Sequence, residues 1–278
     1  MTKTRLFIGI LLVCALIVSM SACMQKGQKL PITEEKTVNI EEFLATKPKP
    51  KEIFEFIVAN LNSLTKEGTD SLILELESAQ NDLLTTISKD FFKEDVQKAL
   101  STGSTDSISE LLKSAEENGF KIESAEGMYY PIIDYAKYKG WSNKASEDLK
   151  SYISIMAKQS DKPTAKDAAL VITWDELARR AVEMERFVEK YPASARFNDI
   201  KEKYEYYKTF VFFGLNNTPL FSYDTKVMRN DALLGYKKFL EEGTDSNLAK
   251  SLKQFVELAE KNNLKLTKEV EDFRESFR

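Results

Sequence analysis

The sequence predicts an all-α fold of stacked helical hairpins, and three observations support this expectation. Glycine and proline number only ten and seven among 278 residues. Strict alternation of apolar and polar residues is scarce, whereas apolar residues recur at intervals of three and four, the spacing of one helix face. Signals that end one helix and begin the next recur along the chain, which indicates helices joined by tight turns.

In the N-terminal half, the helices are expected to end at loop-forming residues. Gly68 is expected to end the second helix, and Gly119 to follow the fifth, where a left-handed glycine closes a helix. Residues 120–130 lack helical spacing and are expected to be irregular or extended. Pro131 is expected to open a new helix at its first turn. The helices predicted here are residues 40–45, 52–64, a long one through 72–87, 94–100, one through 108–115, and 146–157.

In the C-terminal half, Thr173 and Glu176 fit the T-x-x-E capping box at the start of a helix. Pro192 is expected to stop that helix, and Ser194 to cap the next. The apolar spacing predicts helices through residues 177–191, 197–211, 226–242, 245–262 and 268–277.

Two stretches of the chain, residues 187–194 and 239–246, echo each other. Each has the pattern of a helix end, a tight break, a serine and a new helix. Residues 64–71 form a partial third copy, and residues 115–122 resemble 259–266. One helical hairpin cannot bury its apolar face alone, so hairpins of this kind are expected to stack.

The Phe-x-x-x-Tyr-Pro-x-Ser core of residues 187–194 resembles the junction between tetratricopeptide-type hairpins in some bacterial lipoproteins. The resemblance covers about a quarter of the chain at most. The two serines of the repeat, Ser194 and Ser246, lie further apart than the roughly 34 residues of that family, and the family's Trp and Gly positions are not met. The resemblance therefore implies a tetratricopeptide-like or irregular α-solenoid.

The first 22 residues have the pattern of a secretory signal peptide. Lys3 and Arg5 precede an uncharged apolar run, residues 6–18. This run is shorter than the roughly 20 apolar residues that span a bilayer, and small residues follow it, as before a cleavage site. The alternative is an uncleaved membrane anchor.

Met20-Ser21-Ala22-Cys23 resembles the lipobox of bacterial lipoproteins, with Met20 where that family prefers Leu, Val or Ile. The resemblance implies cleavage before Cys23 and a covalent diacylglycerol on its sulfur. The new N-terminus can also carry an N-acyl chain such as palmitate. No other cofactor is expected. Cys14 lies inside the apolar run and is a poor rival. The resemblance implies a signal peptide at residues 1–22, a lipidated tether at 23–38 and a helical domain at 39–278, with a sub-boundary near 160–165.

The expected location is the extracytoplasmic face of the cell membrane, held by the lipid anchor. A Gram-positive envelope is favoured, because the whole chain also resembles lipoproteins of Gram-positive spore-formers, a family without an assigned activity. The formal charge of −4 argues against a nucleic-acid partner. A protein or peptide partner is expected instead.

Histidine is absent and the only cysteines are Cys14 and Cys23. This composition excludes the Ser-His-Asp triad, the Cys–His dyad and histidine-ligated zinc sites, and no metal site is predicted. The sequence therefore leans against an enzyme and favours a helical domain that binds or scaffolds protein, peptide or cell-envelope components.

The candidate ligand surface comprises Glu126, Tyr129, Tyr130, Asp134 and Trp141, in and just after the least helix-like stretch. Irregular segments on a helical scaffold often carry binding residues, and aromatic rings can stack on a sugar. One alternative is a cell-envelope glycan-acting enzyme that uses Glu126 and Asp134 as an acid–base pair. Others are a buried connector with packed tyrosines and, for the whole chain, a solute-binding lipoprotein of a transporter.

Overall fold

The structure is a computed structural model, and it describes residues 39–278. The predicted signal peptide, Cys23 and the tether lie outside these residues. Of the described residues 66% are helical, in twelve α-helices and three short 3₁₀ helices, which confirms the expectation of a mostly helical fold. Six short strands pair as three antiparallel hairpins, of which the sequence anticipated only an extended path through residues 120–130. Within the described part, no helix is long and apolar enough to cross a membrane.

The helices of the N-terminal half follow the predicted order: the first has the predicted bounds, the others have shifted ends, and a short helix at residues 139–142 was not predicted. The long third helix starts before Gly68, because the Thr65 side chain accepts a hydrogen bond from the Gly68 backbone N–H at 3.1 Å and caps the helix there. Gly68 therefore lies inside a helix and does not end one. The helices are α1 (Ile40–Ala45), α2 (Pro50–Asn60), α3 (Lys66–Phe91), α4 (Glu94–Thr102), α5 (Ser109–Glu117), α6 (Lys139–Ser142) and α7 (Glu147–Asp161).

In the C-terminal half, Thr173 precedes a helix as predicted, but its side chain makes no capping hydrogen bond. Glu176 binds Arg180 and, at 3.1 Å, Lys162, so the capping box does not form. Ser194 lies two residues before the cap position of the next helix. The helices are α8 (Trp174–Lys190), α9 (Phe197–Phe213), α10 (Asn230–Glu241), α11 (Asn247–Lys261) and α12 (Lys268–Glu275).

The extended alternative for residues 120–130 is confirmed: strands β1 (Phe120–Ala125) and β2 (Met128–Ile133) form an antiparallel hairpin. Glu126 and Gly127 form its two-residue turn with φ of 51° and 76°. Two left-handed residues match the twist of flanking strands, which makes such turns common in hairpins. Pro131 lies within β2 and opens no helix.

A second small hairpin lies against the tip of the first, and a third lies against the second. The Asp167 carboxylate accepts a hydrogen bond from the Glu126 backbone N–H at 2.9 Å, and the Asn217 N–H donates to the Ala168 carbonyl at 2.9 Å. The second turn therefore joins the first to the third. Their strands are β3 (Ala165–Lys166), β4 (Ala169–Leu170), β5 (Gly214–Leu215) and β6 (Thr218–Pro219).

Helix α8 lies at the centre of the C-terminal half. Ten of its 17 residues are buried, and it packs against α7, α9, α10 and α11. A helix covered on several sides is expected to bury residues all round. The few side chains of α8 that reach solvent therefore line the grooves between its neighbours.

Candidate functional site

A cleft of about 440 Å³ between α3, α7 and α9 reaches a buried carboxylate, Glu77, which is 3% exposed. One carboxylate oxygen accepts hydrogen bonds from the hydroxyls of Tyr135 and Tyr152. The other lies 2.5 Å from a guanidinium nitrogen of Arg196. We call this opening the Glu77 cleft. A buried charge needs hydrogen-bond donors or an opposite charge beside it, because an unpaired buried charge strongly destabilises the fold.

Four different parts of the chain position these side chains. Glu77 lies on the inward face of α3, and Tyr152 lies on α7. Tyr135 begins a 3₁₀ turn after β2, which Asp134 caps by accepting a hydrogen bond from the Ala136 N–H at 3.2 Å. Arg196 is the cap residue of α9, and its guanidinium lies 5.5 Å from the centre of the Tyr152 ring. The cluster thus ties the N-terminal helices to α9.

A second polar pair supports the floor of the cleft. The Tyr138 hydroxyl donates to the Gln80 side chain, whose amide nitrogen donates to the Asn118 carbonyl at 2.8 Å. The rings of Tyr135 and Tyr138 are stacked with centres 5.3 Å apart, and the Trp141 ring lies 5.4 Å from that of Tyr138. Because these aromatic rings are buried and packed on one another, the hydroxyls that face Glu77 are held in place.

Burial, together with the neighbouring Glu77 charge, raises the pKa of the Tyr135 and Tyr152 hydroxyls far above the usual tyrosine range. Both therefore remain protonated donors. Burial opposes the charge of Arg196, but the Glu77 carboxylate raises the pKa of the guanidinium overall. One Glu77 oxygen accepts both tyrosine hydroxyls, whereas the other is ion-paired with Arg196 but accepts no hydrogen bond of normal geometry. The floor is therefore a fixed polar cluster, which is suited to binding.

The rim of the cleft carries groups that remain open to a ligand. Glu202, Lys203 and Tyr206 on α9 face Asn81 of α3 across the opening, and Tyr206 is 58% exposed. Asp199, also at the rim, lies 3.3 Å from Arg196. With Glu77, the lining has three carboxylates and two cations. This balance favours a neutral or cationic ligand with many hydrogen-bonding groups over an anion.

The residues predicted from the sequence are only partly brought together. Glu126 is exposed in the turn of the first hairpin, and Asp134 follows the far end of β2, where it lies 3.4 Å from the Lys121 amine. Six strand residues separate them, which is roughly 20 Å at 3.3 Å per residue. The two carboxylates therefore do not form a pair.

The three predicted aromatic residues occupy different surroundings. Gln97 binds the Tyr129 backbone twice, accepting from its N–H at 2.9 Å and donating to its carbonyl at 2.7 Å. Tyr130 pairs with Glu123 across the hairpin and is half-buried. Trp141 is 6% exposed and packs on Tyr138, so its ring is not available to a ligand.

Sequence reasoning missed Glu77, Tyr152 and Arg196. The sequence carried one signal for Glu77. Glu77 follows the buried Ile73 by four residues on α3, and residues four apart lie on the same face of a helix, so this spacing places Glu77 on the inward face. Gln80, three residues after Glu77, is a second polar residue on the same inward face. Polar residues at inward positions of an amphipathic helix indicate a buried polar network, but not its partners.

Comparison with protein-family models, with curated proteins and with solved structures found no match to the chain. Within residues 39–278, no group of three or more acidic, histidine or cysteine side chains is arranged to hold a metal ion.

Proposed function

We propose that this chain is a lipoprotein anchored on the extracytoplasmic face of the cell membrane, and that its helical domain binds a protein, peptide or cell-envelope component in the Glu77 cleft. The observation that carries the binding part is the floor of the cleft, where a buried carboxylate meets two tyrosines and an arginine. Binding sites commonly combine such convergent buried polar groups with a concave surface.

The stacked-hairpin arrangement, tetratricopeptide-like or an irregular solenoid, belongs to the same proposal. Helices α8 and α9 form one hairpin and α10 and α11 another, and α8 packs against the other three. The two repeat copies, residues 187–194 and 239–246, lie at the turns of these hairpins. Stacked hairpins leave an extended surface for a partner.

The ligand class follows from the rim. Glu202 and Lys203 offer an acceptor and a donor, Asn81 offers both, and Tyr206 presents an exposed ring. Planar polar side chains beside an exposed ring suit an amino sugar or a short peptide that carries an amine.

The anchor is tested by growing cells that express the full chain with labelled palmitate. Wild type and Cys14→Ala are expected to incorporate label, because Cys14 lies inside the segment expected to be removed. Cys23→Ala is expected to incorporate none. Equal labelling of all three proteins would contradict the anchor.

The cleft is tested by titrating the purified chain with chitotetraose and with a lysine-containing tetrapeptide. At least one of the two probes is expected to bind to wild type. Glu202→Gln is expected to lower the affinity for that probe about tenfold, because a hydrogen bond to a charged group contributes about 1.5 to 3 kcal/mol. Glu205→Gln on the same helix, outside the cleft, is the matched control and is expected to bind like wild type. Equal affinities in both variants, or no binding of either probe, would refute the proposal.

No observation favours a second candidate function. The glycan-acting enzyme needs Glu126 and Asp134 close together, and they lie at opposite ends of a hairpin. Solute-binding lipoproteins of transporters usually alternate strands with helices, whereas the strands described here form three separate hairpins.

A further inference from the structure

A second cleft of about 500 Å³ lies between α7, α8 and the turn from α10 to α11. The two repeat copies of the sequence face each other across it. Phe187 of one copy and Phe239 of the other, which occupy the same position in the repeat, are each 1% exposed and line its floor. We call this opening the basic cleft.

The basic cleft is positively charged in a chain whose formal charge is −4. Its lining has the four cationic side chains named below and two carboxylates, Glu183 and Glu242. Both carboxylates are already occupied. The Lys158 amine lies 2.6 and 2.7 Å from the two oxygens of Glu183, and Arg179 binds Glu242 at 2.6 to 3.1 Å.

The other two cations, Arg186 and Lys190, lie one turn apart on α8 and are exposed. Within residues 39–278 neither forms an ion pair within 4.0 Å, and Asp245, a carboxylate on which Arg186 acts, is bound by Lys250 at 2.8 Å. The Lys190 amine lies 5.0 Å from the centre of the Tyr191 ring. Two positive charges thus stand at one wall of the cleft without an ion-pair partner, although the carboxylates of Glu147 and Asp245 act on Lys190 and Arg186 from a longer distance.

We propose that the basic cleft binds a phosphate monoester, a group that carries close to two negative charges above pH 7. The excess of two cations in the lining matches that charge. The planar guanidinium of Arg186 can donate two parallel hydrogen bonds to phosphate oxygens, and Lys190 adds a compact positive charge one helical turn away. The hydroxyls of Ser151 and Thr244 on the opposite walls supply further donors.

The inference does not depend on the Glu77 cleft, because the two clefts share no lining residue. The phosphate can belong to a soluble molecule or to a lipid headgroup, and the shared chemistry is the monoester. A membrane-anchored chain would meet both kinds.

The test is an affinity titration of the full chain, purified in detergent, at pH 7.5. The probes are inorganic phosphate, glycerol 3-phosphate and dihexanoyl phosphatidic acid, with acetate as a singly charged anion. We expect saturable binding of at least one phosphate probe to one site per chain, and binding of acetate at least tenfold weaker. Preference for phosphatidic acid over glycerol 3-phosphate would assign the lipid source, and the reverse would assign a soluble ligand.

The variant Arg186→Gln/Lys190→Gln is expected to lose at least tenfold in phosphate affinity. Arg186→Lys is expected to retain part of it, because the charge remains and the planar fork is lost. Lys253→Gln removes an exposed lysine of α11 outside the cleft and is expected to bind like wild type. Unchanged affinity in the double variant, an equal loss in Lys253→Gln, acetate binding as tight as phosphate, or no saturable binding would each overturn the proposal.

Discussion

The Glu77 cleft and the basic cleft use charge in opposite ways. At Glu77 one oxygen of a buried carboxylate accepts from two tyrosines and the other is ion-paired with Arg196, so the charges of the pair balance. In the basic cleft, Arg186 and Lys190 are exposed and have no carboxylate partner within the described residues.

Buried and exposed charges have different energetic consequences. Removing one partner of a buried ion pair leaves the other uncompensated in a medium of low dielectric, which costs about 3 to 5 kcal/mol. An exposed charge keeps its water, so removing it changes stability by roughly 0.5 kcal/mol or less. The first cluster is therefore expected to control folding stability, and the second to control the binding of an anion.

The largest effect is expected for Glu77→Gln. It leaves the partly buried Arg196 with only Asp199 at the rim as a carboxylate partner, and we expect the free energy of unfolding to fall by about 3 kcal/mol, the lower end of the range for a broken buried pair. Urea denaturation measures this, with Asp82→Asn, an exposed site on the same helix, as control. The double variant Glu77→Gln/Arg196→Met is expected to recover most of the loss. A fall no larger than in the control would contradict the account of the buried cluster.

A smaller effect is expected for Asp175→Asn in α8. Burial opposes its charge, but Lys238 and Arg179, each 2.8 Å away, hold the pKa of Asp175 well below its usual range. A lowered folded-state pKa stabilises the fold above the unfolded value of about 3.9, and that stabilisation is lost as pH falls toward the folded pKa. We expect the variant to be about 2 kcal/mol less stable at pH 7.

The pH dependence checks the sign of this prediction. Stability of wild type relative to Asp175→Asn is expected to be constant from pH 7 to about 5 and to shrink below about pH 4. Urea unfolding at a series of pH values measures the difference. A difference that grows on acidification would be inconsistent with a lowered pKa.

A loss similar to that of Asp175→Asn, about 1.5 to 3 kcal/mol, is expected for Tyr152→Phe, which removes one hydroxyl donor to the Glu77 charge. The ring stays, so its packing against Tyr135 and beneath Arg196 is retained. Tyr206→Phe at the rim is the matched control, because that side chain is 58% exposed. Thermal unfolding of both variants is the measurement. Equal stability of the two variants would show that the hydrogen bond from Tyr152 to Glu77 contributes nothing.

The smallest effect on stability is expected in the basic cleft. Arg186→Gln and Lys190→Gln are each expected to change the free energy of unfolding by roughly 0.5 kcal/mol or less. Urea denaturation checks this. A loss above about 1 kcal/mol would mean that these side chains hold the fold together and would remove the contrast between the clefts.

Helices could be predicted from the sequence because the spacing of apolar residues is a local property. The α1 prediction, residues 40–45, has the bounds found in the structure. Gly68 and Pro131 were misplaced because local signals compete with tertiary context: Thr65 caps α3 before the glycine, and Pro131 occupies a strand whose hairpin turn is set by Glu126 and Gly127.

The site could be predicted only in part. Tyr135, which lines the Glu77 cleft, directly follows the predicted residue Asp134. Its partners come from α3, α7 and the start of α9, and pairings across such sequence distances leave no local pattern. The predicted surface around Glu126 and Trp141 was chosen by composition. Composition does not show that Glu126 lies in an exposed turn and that the Trp141 ring is buried.

The most direct test of the contrast between the clefts is thermal unfolding of the full chain with and without inorganic phosphate, in wild type, Glu77→Gln and Arg186→Gln/Lys190→Gln. Glu77→Gln is expected to lower the midpoint and to keep the rise that phosphate causes, because a ligand that binds the folded state stabilises it. The double variant is expected to keep the midpoint and to lose the rise. If Glu77→Gln loses the rise, or the double variant keeps it, the two clefts do not divide stability and binding between them.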